Sequence, residues 1–302
     1  MLVVRAGALG DLLLLRRAIA ALQAAGHRVQ LLAPAAPGTA LVGPGAGEVD
    51  AVLPWDGPEA AALLCGEDPG GPVTRALRSA DAVVAFTRSA SVLAAVSSRS
   101  RRLLAWDPAP PSGGPHASVW LARSLEPLGV DARSDPPPLV FTEAEHRDAE
   151  ERTRGLPRAF VAVHPGSGSP SKNWPAERVA AVARRLAGDA PWLIVRGPAE
   201  KDRPVPDGAV DAREWPLRTL GAVLARAGVF LGNDSGVGHL AAASGAPTLA
   251  LFGPTDPAVW APVGRAVSTL RAPSRAVADL GVAEVVAAAG ALRSAASGPP
   301  CG

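Results

Sequence analysis

A chain of 302 residues with 48% hydrophobic residues has the length for two α/β domains of about 150 residues each and the apolar content for a core in both. With 19% charged residues and a formal net charge of +2, it lacks the concentrated basic face of a dedicated nucleic-acid binder, and its densest basic cluster, Arg99 with Arg101 and Arg102, reads as a solvated rim. The two cysteines, Cys65 and Cys301, give neither a metal spacing nor a disulfide framework, which suits a reducing cytoplasm, and no run approaches the ~18 uninterrupted apolar residues of a membrane span.

Residues 1–5 (MLVVR) lead straight into an apolar strand with no signal segment before it. The turn from Ala6 to Asp11 follows, then a helical pattern over residues 12–25 closed by Gly26, a residue type favoured just past a helix. Residues 29–33 (VQLLA) read as the second strand. Strand, glycine turn, helix and strand in this order open a parallel βαβ fold. Further strands are expected at 51–53, 82–86 and 103–106, with helices between them and a helix over 119–128 ending at Gly129. Residues 131–139 carry Pro136, Pro137 and Pro138 with no apolar period and read as a linker. Thr142 and Glu145 have the spacing of a capping box, which opens a charged helix to Arg154. The domains are therefore placed at residues 1–141 and 142–302. The second half repeats the logic of the first. A strand at 160–163 precedes a Gly/Ser loop at 164–173 and a helix at 175–186. Strands at 192–195, 229–231 and 248–252 follow, with a glycine turn at 232–236 and a helix to about Ser244.

Chemistry concentrates in the turns that follow strands. After the first strand come Gly7, Gly10 and Asp11. The glycines let a ligand approach the backbone, and the free amides of the helix start favour negative charge. The spacing does not fit the dinucleotide fingerprint G-x-G-x-x-G, and the second strand lacks its acidic partner. Asp11 has two readings: a helix-capping or first-turn acid worth ~1 kcal/mol, or a general base at the carboxyl edge of the sheet, where sites of such folds lie. The loop from His164 to Asn173 offers Ser167, Ser169 and Lys172; hydroxyls, flexible amides and one ammonium are what a diphosphate needs. In the turn at 232–236, Asp234 or Ser235 can cap the next helix, so that the amides of Ser235, Gly236 and Val237 form an anion site. His239 lies four residues after Ser235, on the same helical face. The segment from Phe252 to Pro257 opens at the same sheet edge and reads as a wall of the nucleotide site. His27 and His146 read as surface residues, and no metal cluster is evident.

Taken together, Arg5-x-Gly-x-x-Gly10-Asp11, His164-Pro-Gly-Ser-x-x-x-x-Lys172-x-Trp174-Pro, Gly232-Asn-Asp-Ser-Gly-x-x-His239-Leu-Ala and Leu251-Phe-Gly-Pro-Thr255-Asp256-Pro resemble glycosyltransferase family 9, the ADP-heptose:lipopolysaccharide heptosyltransferases. The resemblance spans about residues 1–265 and is strongest in the second half. It implies a GT-B fold: α/β, with two facing Rossmann-like domains built on parallel sheets, the first on the acceptor side and the second binding the nucleotide sugar. It also implies an inverting, metal-independent transfer with no cofactor, the nucleotide-diphosphate sugar being a co-substrate. By the same analogy Asp11 is the catalytic base and Gly10 borders the substrate. Lys172 contacts the donor phosphates with Ser167 and Ser169, Glu200 binds the ribose hydroxyls, and Asp234, Ser235, Gly236 and His239 hold the donor. The implied donor is ADP-heptose and the implied acceptor a cell-envelope glycolipid or another sugar. No nucleic acid is expected as a partner, and contact with the cytoplasmic face of the inner membrane would be peripheral. Two alternatives stay open: a GT-B nucleotide-sugar epimerase, and a non-catalytic nucleotide-sugar-binding protein.

Overall fold

Short aliphatic runs, apolar at consecutive positions, form strands covered on both faces, as parallel sheets require. In the computed structural model, which describes residues 1–197, 200 and 204–296, the chain divides into two units at the Val140–Phe141 bond. The first unit holds β1 (Leu2–Val4), β2 (Gln30–Ala33), β3 (Val52–Pro54), β4 (Val83–Phe86) and β5 (Leu103–Trp106). Every pairing is parallel, in the order β3-β2-β1-β4-β5. Its helices are α1 (Leu9–Leu13), α2 (Arg16–Ala24), α3 (Ala35–Gly38), α4 (Pro58–Leu64), α5 (Pro72–Ser79), α6 (Ala90–Ser97) and α7 (Ala117–Arg123). On one face, Leu2, Val4, Leu32, Val83 and Ala85 of the sheet meet Leu63, Val73, Leu77 and Val96 of α4, α5 and α6.

Two helices differ from the sequence expectation. The first begins at Leu9 rather than residue 12 and breaks between α1 and α2, because the Asp11 carboxylate accepts the Ala8 amide and starts the helix earlier. The helix expected over 119–128 is α7, started two residues earlier by His116, whose Nδ1 accepts the Ser118 amide, and then a separate 3₁₀ turn at Glu126–Leu128. Gly129, at φ 70°, closes it in the left-handed region.

The segment 131–139 has no helix or strand, yet it is fastened down. Arg16 donates to the Pro137 carbonyl at 2.7 Å and Arg17 to the Arg133 carbonyl at 2.9 Å. Glu48, 0% exposed, accepts the Val140 amide at 2.9 Å. Cys65 is an exposed free thiol, and Cys301 lies outside the described residues.

A second acid, partly buried, acts within the helical layer. The first residue before α5 is Gly71, which has no side chain to cap it. Glu59 of α4 does so instead, accepting the Val73 amide at 3.1 Å, the Thr74 amide at 2.9 Å and the Thr74 hydroxyl at 3.1 Å. Burial raises the Glu59 pKa, but these bonds outweigh it and hold the carboxyl below the usual range. A depressed folded pKa contributes stability that is complete above the unfolded value of ~4.3 and is lost as pH falls through the folded one. Glu59→Gln is therefore expected to destabilise the protein at about pH 7 by the ~1 kcal/mol of a lost cap, seen as a lower Tm, and the gap to the parent should close as pH falls below ~4.3. Thermal melts across that range check this; a gap independent of pH would refute it.

The second unit contains α8 (Glu143–Arg152), β6 (Val161–His164), α9 (Ala176–Ala187), β7 (Trp192–Arg196), β8 (Ala209–Arg213) and α10 (Leu217–Leu224). After these come β9 (Val229–Asn233), α11 (Gly236–Ala243), β10 (Thr248–Phe252), α12 (Pro257–Trp260), β11 (Val267–Arg271) and α13 (Val282–Ala296). The sheet order is β11-β10-β9-β6-β7-β8, parallel throughout. Trp174 and Trp192 anchor a core with Val182, Ile194, Leu231 and Leu251. The capping box forms: Thr142 Oγ1 accepts the Glu145 amide at 3.3 Å, and Glu145 accepts the Thr142 amide at 2.7 Å. In each sheet the strand order reverses beside the first strand, between β1 and β4 and between β6 and β9. A crevice opens past the carboxyl ends of the strands at such a point, and the turns singled out above follow β1, β6, β9 and β10. Among the described residues no helix is long and apolar enough to cross a membrane.

Candidate functional site

In the first unit, the turn after β1 folds over an ion pair. Arg5 Nη2 lies 2.7 Å from Asp11 Oδ1, and Asp11 Oδ2 accepts the Ala8 amide at 3.0 Å. The arginine side chain is 8% exposed and the aspartate 34%. A buried guanidinium thus orients a carboxylate that still meets solvent. Gly7 is required for this closeness, since a Cβ there would fall 2.6 Å from Asp11 Cβ. Gly10 sits beside Asp11 in the first turn of α1, half-buried. Asp11 therefore acts as the first-turn acid, with one oxygen on Arg5, the other on the Ala8 amide and a third of its side chain open to solvent. Arg5 ends the strand and opens the first of the quoted motifs, and its partner Asp11 lies six residues on.

In the second unit the loop after β6 is shaped by its own side chains. Ser167 Oγ lies 2.6 Å from Asn173 Oδ1 and 2.7 Å from the Ser169 carbonyl, closing the loop on itself. Ser169 Oγ is 3.0 Å from Ser171 Oγ. These hydroxyls first set the loop's form. Asn233, at the end of β9, fastens both ends of the loop: Oδ1 accepts the Trp174 amide at 2.9 Å and Nδ2 donates to the Pro165 carbonyl at 2.9 Å. This role of Asn233 has no local signature in the sequence, because its partners lie 59 and 68 residues away.

A 3₁₀ turn at Pro170–Lys172 delivers Lys172. Its ammonium reaches Asp234 Oδ2 at 2.7 Å, and the Thr255 hydroxyl donates to the same oxygen at 2.7 Å. Loops after three strands, β6, β9 and β10, therefore converge on one carboxylate. Of the two caps considered for α11, Ser235 is the one used: it is extended at φ −152° and its hydroxyl accepts the Gly238 amide at 3.4 Å. The amides of Gly236 and Val237, both partly buried residues, come before the intrahelical ladder, where a helix start favours an anion. His239 is buried inside α11.

A second group lies past β6 and β7. Glu200 is buried and accepts the Gly197 amide at 2.9 Å. Gly166 rests against it so closely that a Cβ would fall 2.2 Å from Glu200 Oε1. His164 Nδ1 is 3.0 Å from the Val195 carbonyl, so the proton sits on Nδ1. Burial lowers the His164 pKa against that hydrogen bond and the nearby Glu200 charge, keeping the ring neutral. Lys172, Asp234, Ser235 and Gly236 thus stand together with Thr255, while Glu200 belongs with His164 and Gly166. Among the described residues no three His, Cys, Asp or Glu side chains are grouped to hold a metal ion.

The model of glycosyltransferase family 9 (heptosyltransferase) matches residues 82–285. Lipopolysaccharide heptosyltransferase 3 of Escherichia coli is 27% identical over 151 residues, 46% of this chain and 44% of that protein. The chain thus spans under half the length of the curated relatives it matches first. A family 9 glycosyl transferase from Veillonella parvula superposes with a TM-score of 0.79 at 19% identity, over 97% of both chains. The ADP-heptose lps heptosyltransferase II of E. coli superposes with a TM-score of 0.79 at 18% identity, over 98% of this chain and 99% of that one. The likeness establishes the fold: α/β, two parallel sheets, of the GT-B class.

Proposed function

The chain belongs to glycosyltransferase family 9, and from that premise we propose that it moves a heptose from ADP-heptose to an acceptor hydroxyl, with inversion and without a metal ion. The carrying observation is the Lys172 ammonium, held 2.7 Å from Asp234 at the open start of α11. An ammonium and the free amides of a helix start stabilise a leaving diphosphate, the role a divalent cation fills elsewhere. The second unit serves the donor, with Glu200 on the ribose hydroxyls, Ser167 and Ser169 lining the phosphate loop, and Asp234, Ser235, Gly236 and His239 framing the donor. The first unit serves the acceptor, a cell-envelope glycolipid presented at the cytoplasmic face of a membrane, with Gly10 bordering the substrate. Asp11 takes the proton of the acceptor hydroxyl as its oxygen bonds to the anomeric carbon. The bond from that carbon to the diphosphate oxygen breaks on the opposite face, through an oxocarbenium-like state, and ADP leaves with the electron pair.

Thermal shift against ADP, UDP and GDP, followed by an assay of ADP release from ADP-heptose with extracted envelope glycolipids, tests this reading. ADP at about 100 times its Kd is expected to stabilise the protein by ~2.7 kcal/mol, and turnover should require acceptor. Stabilisation by UDP alone would point to a UDP-sugar enzyme, and ADP binding with no turnover on any acceptor to a binding protein; either result defeats the proposal.

A further inference from the structure

We infer that Thr255 is a positioning residue of the donor site, acting through Asp234; the inference rests on the nucleotide-sugar reading above. Asp234 is 8% exposed, and one of its oxygens carries both the Lys172 ammonium and the Thr255 hydroxyl. Thr255 is not free to wander. Two residues before it, Gly253 lets the chain pass against the segment after β11: a Cβ at Gly253 would fall 2.9 Å from the Val277 nitrogen and 3.0 Å from the Arg275 carbonyl oxygen. One residue after it, Asp256 caps α12 through the Ala258 amide at 3.1 Å and pairs with Arg271 at 3.3 Å. The hydroxyl is therefore presented to Asp234 from a fixed turn.

The consequence is electrostatic. Lys172 faces two demands, the carboxylate that holds it and the diphosphate it would meet. A buried carboxylate stripped of its cation is strongly destabilising. A second donor that stays on Asp234 lowers that penalty and frees the ammonium to turn toward the anion. Thr255 supplies this donor, spending its single proton on Asp234.

The test compares Thr255→Val, which keeps the shape and removes the proton, with Thr255→Ser, which keeps the proton. Both are made in the parent and in an Asp234→Asn background, with ADP titrated by calorimetry and Tm recorded. T255V is expected to weaken ADP binding about tenfold, the scale of a hydrogen bond to a charged group. T255S should stay within about threefold of the parent. In the D234N background T255V should add less than about twofold, because residues acting through one group are not additive. T255V binding ADP like the parent, T255S failing as badly as T255V, or the full T255V loss persisting in D234N would each overturn the inference. A parent protein that binds no ADP would instead overturn the nucleotide reading, and the inference with it.

Discussion

Asp11→Asn is expected to slow sugar transfer by at least ~100-fold, the lower end of what general-base catalysis contributes, while ADP affinity stays within about twofold. Asparagine has the shape of aspartate but no basic oxygen pair. Its oxygen can keep one of the two bonds, to Arg5 or to the Ala8 amide, which the carboxylate makes at 2.7 and 3.0 Å; its NH2 then faces the other donor. The structural cost is that of a weakened helix start, ~1 kcal/mol. A residue that only caps α1 would show this small fall in Tm with near-normal turnover. A base would show the same fall in Tm and a collapse of the chemical step. Single-turnover ADP release, with Tm measured alongside, separates the two; near-normal turnover removes Asp11 from the chemistry.

What could be read from sequence follows from where each residue finds its partner. β1, β4, β6, β9 and β10 are buried on both faces, so their apolar runs stand out between glycine turns. β8 (AVDAR) and β11 (VSTLR) are sheet edges and mostly half-buried. Their polar residues hide the apolar pattern of a strand, so neither stands out in the sequence. α13 is rich in alanine and valine with no clear stripe, so helical periodicity does not mark it. The candidate site divides in the same way. Turn glycines and Lys172 declare themselves locally. The pairings between them do not: Asp234 lies 62 residues from Lys172 and 21 from Thr255, distances that only the sheet order closes. Glu48 is the plainest case, an acid in a glycine-rich loop by sequence and a fully buried acceptor for the Val140 amide in the fold.

Lys172→Met tests the other half of the mechanism, and its signature is the reverse of that of D11N. Loss of the ammonium is expected to lower ADP affinity and to cut kcat/KM by about 100-fold or more, the scale of removing one preorganised charge stabiliser. It should also cost stability, because Asp234, with its side chain 9% exposed, loses its cation. Removing one partner of a fully buried pair costs ~3–5 kcal/mol. Here the lysine is 29% exposed and Thr255 still holds the carboxylate, so ~1–3 kcal/mol is expected, the cost of an under-satisfied buried acceptor. Adding Asp234→Asn to Lys172→Met removes the orphaned charge. The double variant should regain most of the lost stability and none of the lost ADP affinity, because the stability cost belongs to the carboxylate and the donor loss to the ammonium. Urea unfolding and ADP titration of the parent, both single variants and the double variant decide it. If K172M binds ADP as the parent does, the Lys172 ammonium serves only to neutralise Asp234, and the leaving diphosphate must be stabilised by other groups.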